Sequence, residues 1–323
     1  MKISIIIPTY RRVEQSLKTV ELLLKSGEAS GLDIEYIVSD STENDSLKNG
    51  FASHFGDKVI FKKLFRRGIA LGKNHGAELA TGSIIIFCDS DIEVEEDTIS
   101  STIEALKGNP TAGGLGGQVI WKGGEKDGQI DAPHVHDRIK QIGSTIYLEA
   151  IYSRYFATYK KIFLKVGEYD DEVFNMRGEG SDISTRYWRA GFPLVYSSNI
   201  KIHHIYEAPE SVTRVENPSW AVAKDLLLLG YKYDLFDGGK YKNFEDTIIG
   251  NFKSYVDEGY VNILAGIGSH FDFINTVKPI LDRQKKEMKP LYDFKFLEVF
   301  SDEKLFRDCI ESSAQRIKNI IEE

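Results

Sequence analysis

The chain has 323 residues, 41% of them hydrophobic and 28% charged, enough for one large domain or two smaller ones and unlike a disordered chain. Lys and Arg number 41 against 49 Asp and Glu, a formal net charge of −8. That balance argues against a nucleic-acid binder, which needs surplus positive charge to neutralise phosphates.

Two cysteines, Cys88 and Cys309, are too few for a disulfide framework and fit a reducing cytoplasm. The opening MKISIIIPTYRR is too short for a signal peptide or a membrane span, and no later run reaches spanning length. The expectation is a soluble protein without a transmembrane segment, compatible with peripheral membrane association.

In chain order, ISIIIP is a continuous apolar run closed by proline, which suits a parallel strand covered on both faces. VEQSLKTVELLLKSG then places Val13, Leu17, Val20, Leu23 and Leu24 on one helical stripe, with Gly27 as the expected stop. IEYIVSD is the next strand, ending at Asp40, and KVIFKKLF another. GKNHGAELATG reads as a short helix, and SIIIFCD as a strand delivering Asp89. EEDTISSTIEALKG is a helix stopped by Gly108. This alternation predicts a doubly wound, mainly parallel α/β sheet with helices on both faces.

Residues 112–150 are rich in glycine and polar residues and show no clear period, which marks a functional or mobile stretch. YFATYKKIFLKVGEYDDEVF reads as strand, helix and turn, GEGSDISTRYWRAGF as a loop entering a helix, and PLVYSSNIKIHHIY as a late strand. Beyond about residue 210 come longer helical segments: SWAVAKDLLLLGYKY, VNILAGIGSHFDFINTVKPILDRQ and EKLFRDCIESSAQRIKNIIEE. The expected division is a catalytic domain over 1–210 and a mostly helical region over 211–323. Within the first, residues 1–120 form the nucleotide half and 121–210 the acceptor half.

Three polar strand ends, PTYRR, SDSTEND and DSD, converge on the crevice where such sheets bind ligands. Asp89 and Asp91, with Ser90 between them, can hold a divalent cation directly and through its waters; Mg²⁺ and Mn²⁺ favour oxygen ligands, phosphates included. The trailing Glu93, Glu95, Glu96 and Asp97 read as a solvated helix start. His134 and His136 lack a third ligand nearby and read as part of an acceptor-side loop. WAVAKDLLLLGYKYDLF reads as core packing rather than a membrane-facing helix.

The ordered series SIIIPTYRR, IVSDS, RRGIALGKNHGAELATGSIIIFCDSD, FATYKKIFLKVGEYDDEVF, GEGSDISTRYWRAGF and a strand ending in His-His resembles the family 2 glycosyltransferases over about residues 1–206. The resemblance implies the Rossmann-like GT-A fold of nucleotide-diphospho-sugar transferases, here with a helical C-terminal extension. It implies a nucleoside site at Pro8, Thr9, Tyr10 and Arg12 on the first strand end and at Asp40, which also reads as a plain turn aspartate. Arg67, Gly68 and Lys73 would lie near the nucleotide beside Asp89 and Ser90, with Arg66 left on the surface.

The same resemblance makes Asp89 and Asp91 ligands of Mn²⁺ or Mg²⁺ and adds a histidine late in the sheet, His203 or His204. Strand alternation allows only one to face the ion, and His203 is preferred because Ile202 marks the other face as buried. The family's acceptor base lies in a Glu-Asp-x-Asp pattern, commonly its second acid, where this chain has Gly180. Glu179 and Asp182 remain as candidates, and N-capping is the structural alternative for Asp182. Arg214 would close over the diphosphate or sit on the surface.

The implied activity is an inverting, metal-dependent hexosyl transfer in glycan or polysaccharide assembly. UDP-sugars are favoured as donor, with dTDP and GDP open, and the acceptor is a glycan, a lipid-linked sugar, a peptide or a small molecule. Two rivals stand beside it. A sugar-phosphate nucleotidyltransferase would need a glycine-rich phosphate loop where PTYRR stands. A catalytically idle nucleotide-binding module is supported by Gly180.

Overall fold

Ile3, Ile5, Ile6 and Ile7 are all wholly buried, so the first apolar run is covered on both faces, as a central parallel strand requires. A computed structural model describes residues 1–131, 139–151, 153–205, 228–233, 273–288, 299–300 and 302–323. It sets β1 (Lys2–Thr9) between β2 (Asp33–Asp40) and β4 (Ile84–Cys88), both parallel to it, with β3 (Val59–Lys63) outside β2. The chain thus steps outward through β2 and β3 and crosses back to β4. The switch point between β1 and β4 opens a crevice beyond their carboxyl ends.

Past β4 the sheet turns mixed. β10 (Tyr155–Tyr159) runs antiparallel between β4 and β6 (Gly114–Lys122), and β11 (Leu194–Ile205) is parallel to β6. The hairpin of β8 (Ile139–Ile142) and β9 (Thr145–Leu148) closes the far edge against β11. Two short strands add to this frame: β5 (Ile92–Val94) pairs with β11, and β7 (Ile130–Asp131) with β6. The order through the described residues is β3-β2-β1-β4-β10-β6-β11-β9-β8.

Helix α1 (Val13–Ser30) packs against both α2 (Ser46–Phe55) and α4 (Thr98–Gly108). Helix α3 (Ile69–Leu79) packs instead on β1 and β2, with Gly72 and Gly76 against Pro8 and Ile6. Helices α5 (Lys160–Lys165) and α6 (Glu179–Arg189) follow β10. In α1, Gly27 is not the stop. It lies inside the helix because a Cβ there would fall 1.9 Å from the Tyr36 hydroxyl oxygen, and the left-handed terminus is Gly31 at φ 63°.

By its contacts the chain divides into two compact units, one comprising 1–206 with 293–323 and the other 207–292. Helix α8 (Glu303–Glu322) belongs to the sheet unit. Phe306 is 1% exposed, with its ring 5.5 Å from Tyr147 and 6.1 Å from Trp188, and Lys140 on the edge hairpin pairs with Glu303. In the second unit, α7 (Lys278–Met288) carries Asp282, which accepts the Tyr231 hydroxyl at 2.6 Å. His134, His136, Arg214 and most of the segment from Trp220 to Phe236 lie outside the described residues.

No helix among the described residues is long and apolar enough to cross a membrane. Cys88 and Cys309 are both buried free thiols.

Candidate active site

Each strand at the switch point ends in a turn that aims polar groups into the crevice. After β1, Arg12 N donates to Tyr10 O at 2.8 Å across Arg11, whose φ is +62°. This tight γ-turn is unusual for a non-glycine residue. It sends Arg11 outward to Glu43 (2.7 Å) and Arg12 inward, where Nη1 lies 2.5 Å from Asp91 Oδ2.

Beside this turn, Tyr10 gives its hydroxyl to Glu43 (2.8 Å), and the Arg67 guanidinium stands over its ring at 4.3 Å. Asp40 is wholly buried. Its Oδ1 accepts Thr42 N at 2.8 Å and the Thr9 hydroxyl at 3.3 Å, and Oδ2 accepts Lys63 Nζ at 2.9 Å. The turn role is therefore the one this geometry supports, since three donors occupy a carboxylate with no exposed face. Gly68 leads into α3 without space for a side chain, because an added Cβ would collide with Asn175. Asn175 caps that helix from 100 residues away in sequence: its carbonyl accepts Ile69 N and Ala70 N, and its Oδ1 accepts Leu71 N.

The β4 end divides its two carboxylates between different partners. Asp89 faces Lys73, a wholly buried lysine whose Nζ lies 3.2 Å from Asp89 Oδ1 and 3.7 Å from Glu179 Oε1 and donates to Ser153 O at 2.8 Å. Lys73 is thus the hub of a buried charge cluster rather than a group at the surface of the crevice. Ser90 is held through its carbonyl by the Thr19 hydroxyl (2.9 Å). Asp91 receives Arg12 and, at 3.5 Å on the same oxygen, His204 Nε2. His203 points elsewhere, its Nε2 3.1 Å from Glu95.

The preference for His203 is corrected here. Ile202 and His204 share a strand face, and at the sheet's polar end that buried face continues directly into the crevice. The expectation of a solvated helix start holds for Glu96 and Asp97, exposed just before α4, but not for Glu93. Glu93 lies within β5, is 6% exposed, and is held by Lys18 and by Lys122 at 2.5 Å.

Burial pushes the Asp89 carboxyl up; Lys73 opposes this, while Asp91 and Glu179 add to it. For Asp91 burial also acts upward, but His204, Arg12 and Arg154 outweigh it and hold the carboxyl below the usual carboxylate range. One acid is thereby kept an anion and its neighbour brought closer to neutrality.

Glu179 opens α6, 8% exposed, and its Oε1 accepts the Ser153 hydroxyl at 2.5 Å. Asp182 does not cap the helix. It is wholly buried within α6 and takes two bonds from Arg186 (2.6 and 3.1 Å), whose third nitrogen donates to Val166 O. A side chain at Gly180 would press on Ile151 O at 3.2 Å and on Ser153 at 3.3 Å, so the segment carrying Ser153 crowds the position of the family's second acid.

Sequence reasoning missed Ser153, Arg154 and Trp121. Arg154 O accepts Asp89 N, and its guanidinium lies 5.3 Å from the Trp121 ring, which meets His204 edge-on at 4.4 Å. No spacing marks these residues; β10 and β6 bring them beside β4 and β11 from far along the chain.

Among the described residues no three His, Cys, Asp or Glu side chains converge on one point. The donor set still fits a divalent cation that keeps several positions for water and phosphate oxygens. Asp91 and His204 face each other, and His204 Nδ1 is buried without a hydrogen-bond partner. An imidazole beside a carboxylate suits Mn²⁺ better than Mg²⁺.

Comparison with known proteins bears on the family and the fold. The family model described as Glycosyl transferase family 2 matches residues 4–167. A glucosyl-dolichyl phosphate glucuronosyltransferase of Haloferax volcanii is 25% identical over 218 residues, which is 63% of this chain and 69% of that protein. Two solved structures share the fold. GalNAc-T7, solved with UDP, GalNAc and Mn²⁺, matches at 18% identity with a TM-score of 0.55, over 72% of this chain and 48% of its own. A mannosyltransferase from Pyrobaculum calidifontis, solved with GDP-Man and Mn²⁺, matches at 12% identity with a TM-score of 0.51, over 98% of this chain and 86% of its own.

Proposed function

The chain belongs to glycosyl transferase family 2, and on that premise we propose that it moves a sugar from a nucleoside diphosphate, UDP favoured, to an acceptor hydroxyl with inversion. The observation that carries the reading is the pairing of Asp91 with His204 at the switch point, beside the Lys73 and Arg154 cations. Asp91 and His204 would hold a divalent cation, Mn²⁺ before Mg²⁺. When bound, such a cation supplies Lewis-acid neutralisation of the departing diphosphate.

The chain's own residues do the rest. Arg67 and Tyr10 frame the nucleoside end. Arg154 adds positive charge where the diphosphate carries its negative charge. Glu179 accepts the proton of the acceptor hydroxyl as that oxygen bonds to the anomeric carbon. The bond from that carbon to the diphosphate oxygen breaks in the same displacement, and the nucleoside diphosphate leaves with the electron pair. The Ser153 hydroxyl and Lys73 both engage Oε1 of Glu179, which orients Oε2 toward an acceptor.

The name of the archaeal relative specifies a glycosylated lipid phosphate. We therefore carry a lipid-linked acceptor at a cytoplasmic membrane surface, in glycan assembly, as the reading for the acceptor. One observation favours a second reading, a nucleotide-binding module without turnover: Gly180 stands in place of the second acid, and Ile151 and Ser153 crowd that position.

A thermal-shift panel of UDP, GDP, dTDP and CDP with and without Mn²⁺ tests the proposal. A ligand at about a hundred times its Kd stabilises the native state by about 2.7 kcal/mol. One nucleotide giving a metal-dependent shift supports the reading, and no shift with any of them overturns it. Release of that diphosphate from its sugar on adding acceptor separates the enzyme from the idle module.

A further inference from the structure

We propose that Arg12 is a built-in competitor for the cation seat, its guanidinium occupying Asp91 Oδ2 until a divalent cation displaces it. The inference rests on the reading of Asp91 and His204 as the cation's protein ligands. Nη1 of Arg12 sits 2.5 Å from Asp91 Oδ2, the same oxygen that His204 Nε2 approaches at 3.5 Å. A cation bridging these two groups must share that oxygen with a like charge or expel it.

Two independent features show that the placement is built. The backbone before Arg12 passes through the γ-turn at Arg11, whose +62° φ is costly for a side chain that large, and such outliers persist only where surrounding structure enforces them. That enforcement is visible: Arg11 N donates to the Thr42 hydroxyl at 2.7 Å, and its guanidinium is tied to Glu43 by two bonds. Arg12 itself opens α1, its carbonyl accepting Ser16 N at 2.9 Å, so the side chain leaves a fixed point.

The consequence is coupling. A cation arriving alone must break the Arg12–Asp91 pair, whereas one arriving with a diphosphate offers the freed guanidinium a new anion. Metal and nucleotide then favour each other's binding by the same factor, as linkage requires.

The test is Mn²⁺ binding to the full chain without nucleotide, followed by electron paramagnetic resonance of the free ion, for wild type, Arg12→Met and Arg12→Lys. Circular dichroism melts of each protein confirm the fold. Arg12→Met is expected to bind Mn²⁺ roughly tenfold more tightly than wild type, the worth of one hydrogen bond to a charged group. Arg12→Lys, which keeps the charge, should stay near wild type, and adding Asp91→Asn should abolish binding in either background. Equal or weaker Mn²⁺ binding by Arg12→Met, with wild type binding, overturns this inference and leaves the proposed function standing. Mn²⁺ binding by none of the three proteins overturns this inference alone, because a cation that also takes phosphate oxygens is tested by the nucleotide panel.

Discussion

Replacing Lys73 by methionine should unfold the site from within. The residue is wholly buried, and its ammonium serves three groups at once: Asp89 at 3.2 Å, Glu179 at 3.7 Å and Ser153 O at 2.8 Å. At an effective dielectric of 20 the two ion pairs are worth about 5 and about 4 kcal/mol before the ammonium's own desolvation is subtracted. Methionine fills similar volume without that desolvation cost, so part of the loss is returned. What remains is the penalty of two carboxylates without their cation, about 3–5 kcal/mol for breaking a buried pair from one side. Urea unfolding at neutral pH measures it. The double variant Lys73→Met/Glu179→Gln removes one of the stranded charges and should recover about 1–3 kcal/mol relative to the sum of the single losses. A Lys73→Met loss below about 1 kcal/mol, the range of a surface pair, would refute the cluster as described.

Four further outcomes follow from other parts of the molecule. Glu35, which takes the Ser4 hydroxyl, Thr81 N and Lys2, is desolvated by burial yet held at about 2 by those partners. Its depressed value contributes about 3 kcal/mol that is present above pH 4.5 and lost as pH falls toward 2, so Glu35→Gln should lower stability at pH 7 and flatten the acid limb of a pH–stability curve. Gly180→Asp restores the acid of the family pattern against Ile151 O and Ser153; it should cost about 1–3 kcal/mol by overpacking, with Ser153→Gly relieving part of the loss. Phe306→Ala should cost about 3–5 kcal/mol in thermal unfolding by emptying the seat of α8 against Tyr147 and Trp188. Ser153→Ala should slow turnover in wild type and leave a Glu179→Gln enzyme unchanged, since the hydroxyl acts through that carboxylate.

Periodicity and composition made half of the sheet legible. β1, β2, β3, β4, β10 and β11 coincide with segments read as strands, and the rhythm of strand and helix gave the switch point where the candidate site lies. β6 escaped because its first half carries Gly114, Gly116 and Gly117. A Cβ at Gly114 would strike Phe156 and one at Gly117 would strike Ile200, so these positions are small through tertiary contact, which leaves no period to detect. Helix α8, read with the helical region beyond 210, belongs instead with the sheet: its apolar stripe was visible in the sequence, while the surface it covers was not.

At the site, residue types were easier to read than partners. Asp89, Asp91 and Glu179 stood out as carboxylates at element ends, but that Lys73 would take Asp89 while Arg12 took Asp91 is a property of the folded crevice. The histidine choice failed on a local rule applied one layer too far. A buried strand face at mid-sheet becomes the crevice face at its end, so Ile202 marks His204 as the residue beside Asp91. Asp182 misled in the opposite way: an acid in the first turn of a helix suggests a cap, yet the buried Arg186 four residues on claims it.

The most direct test of the central claim is calorimetric titration of the nucleoside diphosphate selected by the panel into wild type, Asp91→Asn, His204→Ala and His203→Ala, with and without Mn²⁺. Binding should need Mn²⁺ in wild type, survive in His203→Ala, and be lost in Asp91→Asn and His204→Ala proteins that keep their fold. Nucleotide binding that ignores Mn²⁺, or that persists unchanged without Asp91 and His204, would contradict that claim.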